Sequence, residues 1–422
     1  MENRFYSRFD TETTSPRSGG SDYRTPFQID RDRIIHTSAF RRLQSKTQVF
    51  LSGQYDFYRT RLTHSIEVAQ IGRSICASLK AGSDHLADDY FIDSDLVEAA
   101  CLAHDIGHPP FGHTGERTLN RLMADHGGFE GNAQTLRMLT ETIFSGTSDG
   151  MAPTRALADA VLKYKSLRAD LGPHPENHFL YDYQHGVLAF VFDGQHLPPD
   201  LTPGPRRDSF RSIECQIMDW ADDTAYSIND LQDGIRAGFI TLERLERWAG
   251  HQSLNSAESA HVDKILDAIR AGIVERRYGK KIGAFIAACH LEEHPTFMGA
   301  TTNRYRYRLG VDPALRAESD LYKRIALDLV FRSQQLAQLD FKADFLLTQL
   351  FGALAERYFA SPPRSNFRLL PEPQESKIAA ANTPSERARL VCDALAEMTD
   401  AFAMRTSKRL FDADHGSIID LV

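Results

Sequence analysis

Five side chains that can bind a metal ion or transfer a proton fall within thirteen positions of the sequence. They are His104, Asp105, His108, His113 and Glu116. Imidazole and carboxylate groups together suit a divalent cation. Neighbouring side chains on a continuous helix point about 100° apart, so His104 and Asp105 can meet one ion only where a helix ends. Gly107 and Pro109 predict that end directly after the pair.

Further ligands are needed, because two side chains are too few to hold an ion. His64 and the acidic stretch 219–226 are the candidates outside the cluster. Asp222, Tyr226 and Asp230 follow one another at intervals of four residues, so they share one face of a helix. A lone histidine is more often a core residue, and a solvated acidic face has the same spacing, so residue types alone leave both interpretations open.

Amphipathic helices are predicted to carry these residues. Apolar side chains recur at spacings of three and four in residues 63–79, 94–105 and 211–232. The same pattern returns through 240–279, 284–291, 314–359 and 383–410. The sequence lacks the GxGxxG fingerprint of a dinucleotide-binding sheet, so we predict an all-α, mainly helical fold.

We expect three parts along the chain. Residues 1–24 are rich in Ser, Thr, Gly and Pro, which predicts a mobile amino-terminal arm. Residues 25–235 form the predicted helical core, with an irregular insertion at about 166–210 whose β-prone run GVLAFVF indicates a short hairpin. Residues 236–422 form the predicted carboxy-terminal helical region, which packs on the core.

The composition excludes several classes of protein. The 422 residues carry 49 Lys and Arg against 57 Asp and Glu, a net charge of −8. This charge argues against a protein built mainly to hold duplex nucleic acid, but leaves room for a local groove for single strands. Five scattered cysteines without a CxxC pair favour a reducing compartment. Because no stretch approaches the ~20 apolar residues that span a bilayer, and the amino terminus lacks the apolar centre of a signal peptide, we predict a cytoplasmic protein without membrane partners.

The motifs resemble those of a known family. His64, the pair His104 and Asp105, and Asp222 are similar to the H…HD…D signature of the HD phosphohydrolase superfamily. Longer stretches are similar to the deoxyguanosine-triphosphate triphosphohydrolase (dGTPase) family, in the same order over most of 25–235. They are RDRIIHTSAFRRLQSKTQVF, YRTRLTHSIEVAQIGRSI, AHDIGHPPFGHTGE, FEGNAQTLR, VLKY and MDWADDTAYSINDLQDG. The resemblance implies an HD-domain helical core with additional carboxy-terminal helices.

The resemblance also implies a set of metal ligands. These are His64, His104, Asp105 and Asp222, and the usual ion is Mn²⁺ or Mg²⁺. Asp223 is the neighbouring alternative. The four-residue spacing to Tyr226 and Asp230 favours Asp222 over Asp223.

Substrate contacts are implied in the same way. Arg61 and Lys163 match positions that approach phosphate oxygens, and His108 lies close enough in sequence to contact phosphate. Gln48 and Tyr226 match positions near the sugar. Asp230 matches a carboxylate near the sugar or the base.

The catalytic pair of the family falls on His113 and Glu116. The two residues lie one helical turn apart, so their side chains can hydrogen-bond. The chain departs from the family at Gly131, where many relatives carry histidine, and in the run 397–402, which loses a glycine, an arginine and a tyrosine hydroxyl. The insertion at 166–210 is a further departure and is expected to reshape the entrance of the site.

These features imply a metal-dependent dNTP triphosphohydrolase that releases a deoxynucleoside and inorganic triphosphate. The family also implies a homo-oligomer, usually a hexamer or tetramer, and binding of single-stranded DNA by some members. One open alternative is another HD-type phosphohydrolase, acting on a nucleotide monophosphate, a cyclic nucleotide or an alarmone. The other is a non-catalytic sensor of nucleotides or single-stranded nucleic acid, although a sensor has no need of the acid–base pair His113 and Glu116.

Overall fold

A computed structural model of the protein describes residues 3–17, 22–49, 59–144, 149–359 and 367–414. Within these residues the regular structure consists of nineteen α-helices, several short 3-10 and π-helical turns, and one antiparallel pair of strands. The predicted mainly helical fold is confirmed. None of the described helices has both the length and the apolar character needed to cross a membrane.

The helices of the first half of the chain are α1 (Arg8–Thr11), α2 (Pro26–Ile35), α3 (Ser38–Arg42), α4 (Arg61–Gly82), α5 (Ser94–Ala103), α6 (Gly112–Leu122), α7 (Gly131–Arg137), α8 (Arg155–Ala160), α9 (His185–Val191), α10 (Pro205–Asp208) and α11 (Ile213–Arg236). Those of the second half are α12 (Leu242–Gly250), α13 (Ser256–Arg270), α14 (Val274–Ala287), α15 (Pro313–Ala326), α16 (Gln334–Tyr358), α17 (Glu372–Ala380), α18 (Pro384–Ala396) and α19 (Asp400–Phe411). Strands β1 (Cys289–Glu293) and β2 (Tyr307–Val311) lie between α14 and α15 and pair with Cys289 opposite Val311.

Side-chain caps determine where the three helices of the candidate ligands begin. Thr60 caps α4, Asp93 caps α5 and Ser212 caps α11, each by accepting a backbone N–H through its side chain. These bonds satisfy donors that have no partner inside the helix. Because Thr60 is the cap, α4 begins at Arg61, two residues before the predicted start, and it continues to Gly82.

Helices α4, α5 and α11 pack around one apolar core. Ile75, Val97 and Ile228 are fully buried in it. Gly72 lets α4 approach α5 closely, because a Cβ atom there would lie 2.9 Å from the Cys101 sulfur. The five cysteines are all buried and free, as expected for core thiols.

A second apolar cluster joins the carboxy-terminal helices to α6. Leu347 of α16 and Val391 of α18 are buried there together with Leu119 of α6. The carboxy-terminal region therefore packs directly on the helix that carries His113 and Glu116.

The insertion at 166–210 contains no strand, so the hairpin predicted from GVLAFVF is wrong. This run lies in α9. Val191 and Phe192 are buried, and Val187 and Leu188 pack against the core. These four positions fall on one side of a helix, and their packing outweighs the strand preference of the individual residues.

The described amino-terminal residues 3–17 pack on the core instead of forming the mobile arm expected from their composition. Phe5 is fully buried, and its ring lies 5.1 Å from that of Tyr90. Asp10 is also buried and accepts a hydrogen bond from the Thr302 hydroxyl at 2.7 Å. One aromatic ring and one carboxylate anchor the segment, and neither produces the periodic pattern that would predict a helix.

The substitution Phe5→Ala tests this packing. We expect it to lower the free energy of unfolding by about 3–5 kcal/mol, because it removes a fully buried aromatic ring. Urea denaturation followed by circular dichroism measures the change. Tyr23→Ala is the control, since Tyr23 is 97% exposed. If Phe5→Ala lowers the free energy of unfolding as little as Tyr23→Ala does, the packed position of the segment is contradicted.

Candidate metal centre and active site

One cavity of about 230 Å³ collects nearly all the residues singled out from the sequence. The predicted residues that line it are Gln48, Arg61, His64, His104, Asp105, His108, His113, Glu116, Lys163, Asp222 and Tyr226. Asp230 is buried one helical turn beyond Tyr226 on α11. Side chains from distant parts of the chain therefore meet around one space.

His64, His104 and Asp105 form a compact group of possible metal ligands. One ligand atom of each lies within 4.8 Å of the others. His64 stands in the first turn of α4, and His104 and Asp105 directly follow the last residue of α5. The helix therefore ends where two adjacent side chains can face one point.

The His104 ring is oriented for coordination. Its Nδ1 lies 2.6 Å from the Cys101 carbonyl oxygen, so this nitrogen carries the hydrogen and donates it. The other nitrogen, Nε2, is buried and has no hydrogen-bond partner in the described structure. It lies 3.6 Å from Asp105 Oδ1 and 3.7 Å from Asp222 Oδ1. Because a free imidazole lone pair faces two carboxylates, these residues fit a divalent cation.

Asp222 faces this group, whereas Asp223 has another partner. Asp222 Oδ1 lies 3.1 Å from His64 Nε2. Asp223 Oδ1 pairs with Lys323 Nζ at 3.2 Å. The geometry therefore favours the same aspartate as the four-residue spacing on α11.

Two cations offset the charge of buried Asp105 and partly buried Asp222. Arg61 is 2% exposed and donates through Nη1 to Asp105 Oδ2 at 2.7 Å. Lys163 Nζ lies 3.3 Å from Asp222 Oδ2 and 2.9 Å from Asp219 Oδ1. Burial alone would raise the pKa of both aspartates, yet the neighbouring cations and imidazoles hold both pKa values well below the usual range. Both carboxylates are therefore ionised near neutral pH and available to a cation.

His113 and Glu116 form the expected pair on the first turn of α6. His113 Nδ1 lies 3.2 Å from Glu116 Oε2, and Glu116 Oε1 accepts the N–H of Gly131 at 2.7 Å. Burial would raise the pKa of Glu116, but its bond to His113 and the nearby imidazoles lower it. The ionised carboxylate fixes the His113 ring, whose side chain is 64% exposed, so Nε2 is available for proton transfer.

His108 lies between the two groups. Its Nδ1 is 3.1 Å from Asp105 Oδ1, and its Nε2 is 3.9 Å from Glu116 Oε2. Burial and the Arg61 charge lower the pKa of His108 to about 4, so the ring is neutral at physiological pH. With His113 and Glu116 it forms a second group whose ligand atoms lie within 4.8 Å of one another.

Asp400, at the start of α19, holds the turn that precedes His113. Phe111 and Gly112 both have left-handed backbone conformations, with φ of 64° and 58°. Asp400 Oδ1 accepts the N–H of Phe111 at 2.9 Å, and Oδ2 accepts both the N–H (2.8 Å) and the hydroxyl of Thr47, the residue before Gln48. One carboxy-terminal carboxylate thus joins the two segments that carry His113 and Gln48. The run 397–402, where the sequence departs from the family, thus contributes this contact to the site.

Tyr226 and Asp230 extend the site along α11. The Tyr226 ring lies parallel to that of Phe331, with centroids 6.1 Å apart. Burial raises the pKa of Asp230 to about 8, so this carboxyl is mostly protonated at neutral pH. Asp230 Oδ2 and Gln48 Oε1 are buried without a hydrogen-bond partner in the described structure. These groups are available to a polar ligand.

Several residues around the cavity were not identified from the sequence. They are Glu130, Asn132, Tyr164, Asn177 and His178. The first three stand inside or beside motifs that were recognised, FEGNAQ and VLKY, so proximity to those motifs was a usable signal. The last two belong to the insertion, and its sequence gives no sign that they approach the site.

Comparisons with known proteins agree with this geometry. A model of the HD domain matches residues 61–227, and a model of the phosphohydrolase-associated domain matches residues 309–409. A deoxyguanosinetriphosphate triphosphohydrolase-like protein of Shewanella loihica is 37% identical over 95% of this chain and 96% of its own length. Proteins with the same description from Shewanella sediminis and Vibrio cholerae are each 34% identical, over 97% and 93% of this chain and 97% and 94% of their own lengths.

The chain belongs to the dGTPase-like family of HD-domain phosphohydrolases. The matched HD domain begins at Arg61 and ends one residue after Tyr226, so it contains the candidate metal ligands and the pair on α6. Asp400 lies in the phosphohydrolase-associated domain. The contact through Asp400 therefore joins the two matched domains at the site.

Replacing Asp400 with asparagine tests this junction. An amide cannot accept all three hydrogen bonds, so at least one buried donor loses its partner, and we expect the free energy of unfolding to fall by about 1–3 kcal/mol. Amide hydrogen exchange of Thr47 and Phe111 should become faster. Asp412→Asn, at an exposed position just after α19, is the control. Unchanged exchange at both amides would show that Asp400 does not hold the turn.

Proposed function

We propose that this protein is a metal-dependent dNTP triphosphohydrolase, which cleaves a deoxynucleoside triphosphate to a deoxynucleoside and inorganic triphosphate. The main support is the convergence of two groups in one cavity. One group combines imidazoles with ionised carboxylates, and the other is an oriented histidine beside a buried glutamate. The names of the similar proteins point to the same reaction.

The residues that would hold the metal are His64, His104, Asp105 and Asp222, and Mn²⁺ or Mg²⁺ is the proposed ion. When bound, such a cation supplies Lewis acidity toward a phosphate oxygen and acidifies water. Asp105 and Asp222 remain ionised because Arg61 and Lys163 stabilise their charge. Both carboxylates are thus already in the charged form that binds a cation.

His113 is the proposed proton-transfer residue. In the reaction, an oxygen from water bonds to the α-phosphorus and the bond from phosphorus to the sugar 5′ oxygen breaks. A proton must leave the water, and the departing 5′ oxygen must gain one. His113 can mediate this transfer at Nε2, because Glu116 holds Nδ1 and stabilises the protonated ring.

Three residues around the cavity are proposed to bind the phosphates. Arg61 and Lys163 place positive charge beside the candidate ligands, where it offsets charge that develops on the phosphates. His108 is buried and neutral, so it can donate one hydrogen bond to a phosphate oxygen.

The nucleoside end of the substrate is proposed to meet Gln48, Tyr226 and Asp230. Gln48 Oε1 can accept a hydrogen bond from a sugar hydroxyl. Because Asp230 is mostly protonated, it can donate a hydrogen bond to the sugar or the base. The preferred base, the homo-oligomer of four or six subunits, single-stranded DNA binding and the cytoplasmic location stay predictions from the sequence.

Product analysis tests the reaction. We expect metal-stripped protein supplied with Mn²⁺ or Mg²⁺ to convert at least one dNTP to deoxynucleoside and triphosphate, separated by ion-exchange chromatography. His113→Gln should lower kcat by about 10²–10⁴-fold, because it removes the proton-transfer group. Monophosphate with pyrophosphate as products would instead indicate another HD-type phosphohydrolase. Absence of turnover with every dNTP would favour a sensor.

Metal binding is tested separately from turnover. His104→Gln should remove the rise in thermal melting temperature that Mn²⁺ gives to the metal-stripped wild type, because a free ligand nitrogen is lost. His196→Gln, at an exposed histidine of the insertion, is the control and should keep the rise. His113→Gln should also keep it. An unchanged rise in His104→Gln would place the metal elsewhere.

A further inference from the structure

A histidine and a tyrosine are stacked at the rim of the catalytic cavity. The His178 and Tyr164 rings lie 4.1 Å apart with planes inclined by 14°. Tyr164 directly follows Lys163, whereas His178 belongs to the insertion at 166–210. Both side chains line the same cavity as the candidate metal ligands. The insertion therefore contributes to the site through this stack.

The backbone at His178 is in an unfavourable conformation. Its φ is 62°, in the left-handed region that residues with a side chain rarely adopt. The next two residues hold it there, because Phe179 and Leu180 are fully buried and the N–H of Leu180 donates to the Ser166 carbonyl at 2.8 Å. Conformations of this kind occur preferentially at functional sites.

The polar edge of the His178 ring is available to a ligand. The stack on Tyr164 fixes the plane of the ring, yet neither ring nitrogen has a hydrogen bond or ion pair among the described residues. An imidazole always has at least one N–H to donate. An oriented, uncommitted donor beside a cavity is typical of a substrate contact.

The stack relates His178 to the proposed phosphate-binding lysine. The Tyr164 ring, on which His178 stacks, belongs to the residue that directly follows Lys163. Lys163 Nζ lies 3.3 Å from Asp222 Oδ2, and Lys163, Glu116 and His178 line one cavity.

We propose that His178 binds the terminal phosphates of the substrate, by donating an imidazole N–H to an oxygen of the β- or γ-phosphate. The inference rests on the proposed function, since it assumes a triphosphate in this cavity. Lys163 lies beside Asp222, and the next residue carries the ring on which His178 stacks. The stack therefore connects His178 to the lysine beside the candidate metal ligands, and we place the terminal phosphates between these two cavity-lining residues.

The substitution His178→Gly suits the test, because glycine adopts a φ of 62° without strain and the fold should be kept. His174→Gly is the matched control. His174 lies in the same insertion, is exposed and also has a positive φ, of 51°, but it does not line the cavity. Both variants relieve the same kind of backbone strain, and only one removes a side chain from the site.

Isothermal titration calorimetry of the Mn²⁺-loaded proteins with inorganic triphosphate and with deoxyguanosine measures the effect. We expect His178→Gly to weaken triphosphate binding about tenfold, as for the loss of one hydrogen bond to a charged group. Deoxyguanosine binding should not change, and His174→Gly should bind both ligands like the wild type.

Other results would overturn the inference. Triphosphate binding by His178→Gly at wild-type strength, or no triphosphate binding by the wild type, would exclude the contact. A selective loss of deoxyguanosine binding would place His178 at the nucleoside, and an equal loss of both ligands would indicate a general change of the cavity. These measurements need no turnover, so they are independent of the product analysis. If the wild type hydrolyses dNTPs but His178→Gly binds triphosphate as strongly as the wild type, the inference fails and the proposed function does not.

Discussion

The charge on two carboxylates, buried Asp105 and partly buried Asp222, is the constraint on which the site depends. An isolated carboxylate does not stay charged in an apolar interior, so each needs a cation supplied by another element. Arg61 at the start of α4 and Lys163 shortly after α8 provide these charges. The packing of α4, α5 and α11 therefore buries apolar side chains and also brings the carboxylates to positions where cations can stabilise their charge. Removal of Arg61 would leave a buried carboxylate without its cation, and removal of Lys163 a partly buried one, so these phosphate-binding candidates also stabilise the candidate metal centre.

The described residues of the carboxy-terminal region contribute to the site from outside the lining of the cavity. Asp400 accepts two hydrogen bonds from Thr47 and one from Phe111, and buried Lys46 donates to the carbonyls of His108 and Ala396. Both contacts reach backbone groups next to functional side chains. The left-handed turn before His113 is strained, and strain of this kind persists only where surrounding structure holds it. The phosphohydrolase-associated domain thus helps to position the proposed acid–base pair, His113 and Glu116.

Much of the fold and site could be predicted because it depends on local signals. Helix periodicity located most of the helices, and the resemblance to dGTPase family motifs indicated the candidate site residues, including Asp222 through the family's four-residue spacing on α11. The strand assignment failed for GVLAFVF, because the strand preference of its residues is weaker than the packing of one helical face. Asp400 and His178 could not be placed, because their roles depend on contacts with residues far away in sequence or, for His178, on a backbone conformation that no local pattern specifies.

Buried charge alone does not distinguish this site from the rest of the molecule. Glu214 is fully buried, and both of its oxygens are satisfied, by Arg304 at 3.0 Å and by the Tyr6 hydroxyl at 2.8 Å. The Glu214 carboxylate therefore has no oxygen left for a ligand, and its contacts with Arg304 and Tyr6 join separate parts of the fold. In the cavity of the candidate site, His104 Nε2 and Gln48 Oε1 lack hydrogen-bond partners among the described residues. Buried atoms without a partner also occur elsewhere, for example Ser319 Oγ and Arg389 Nη1. The candidate site differs in that its unsatisfied imidazole nitrogen lies 3.6 Å and 3.7 Å from two carboxylate oxygens, so one bound cation would satisfy these groups together.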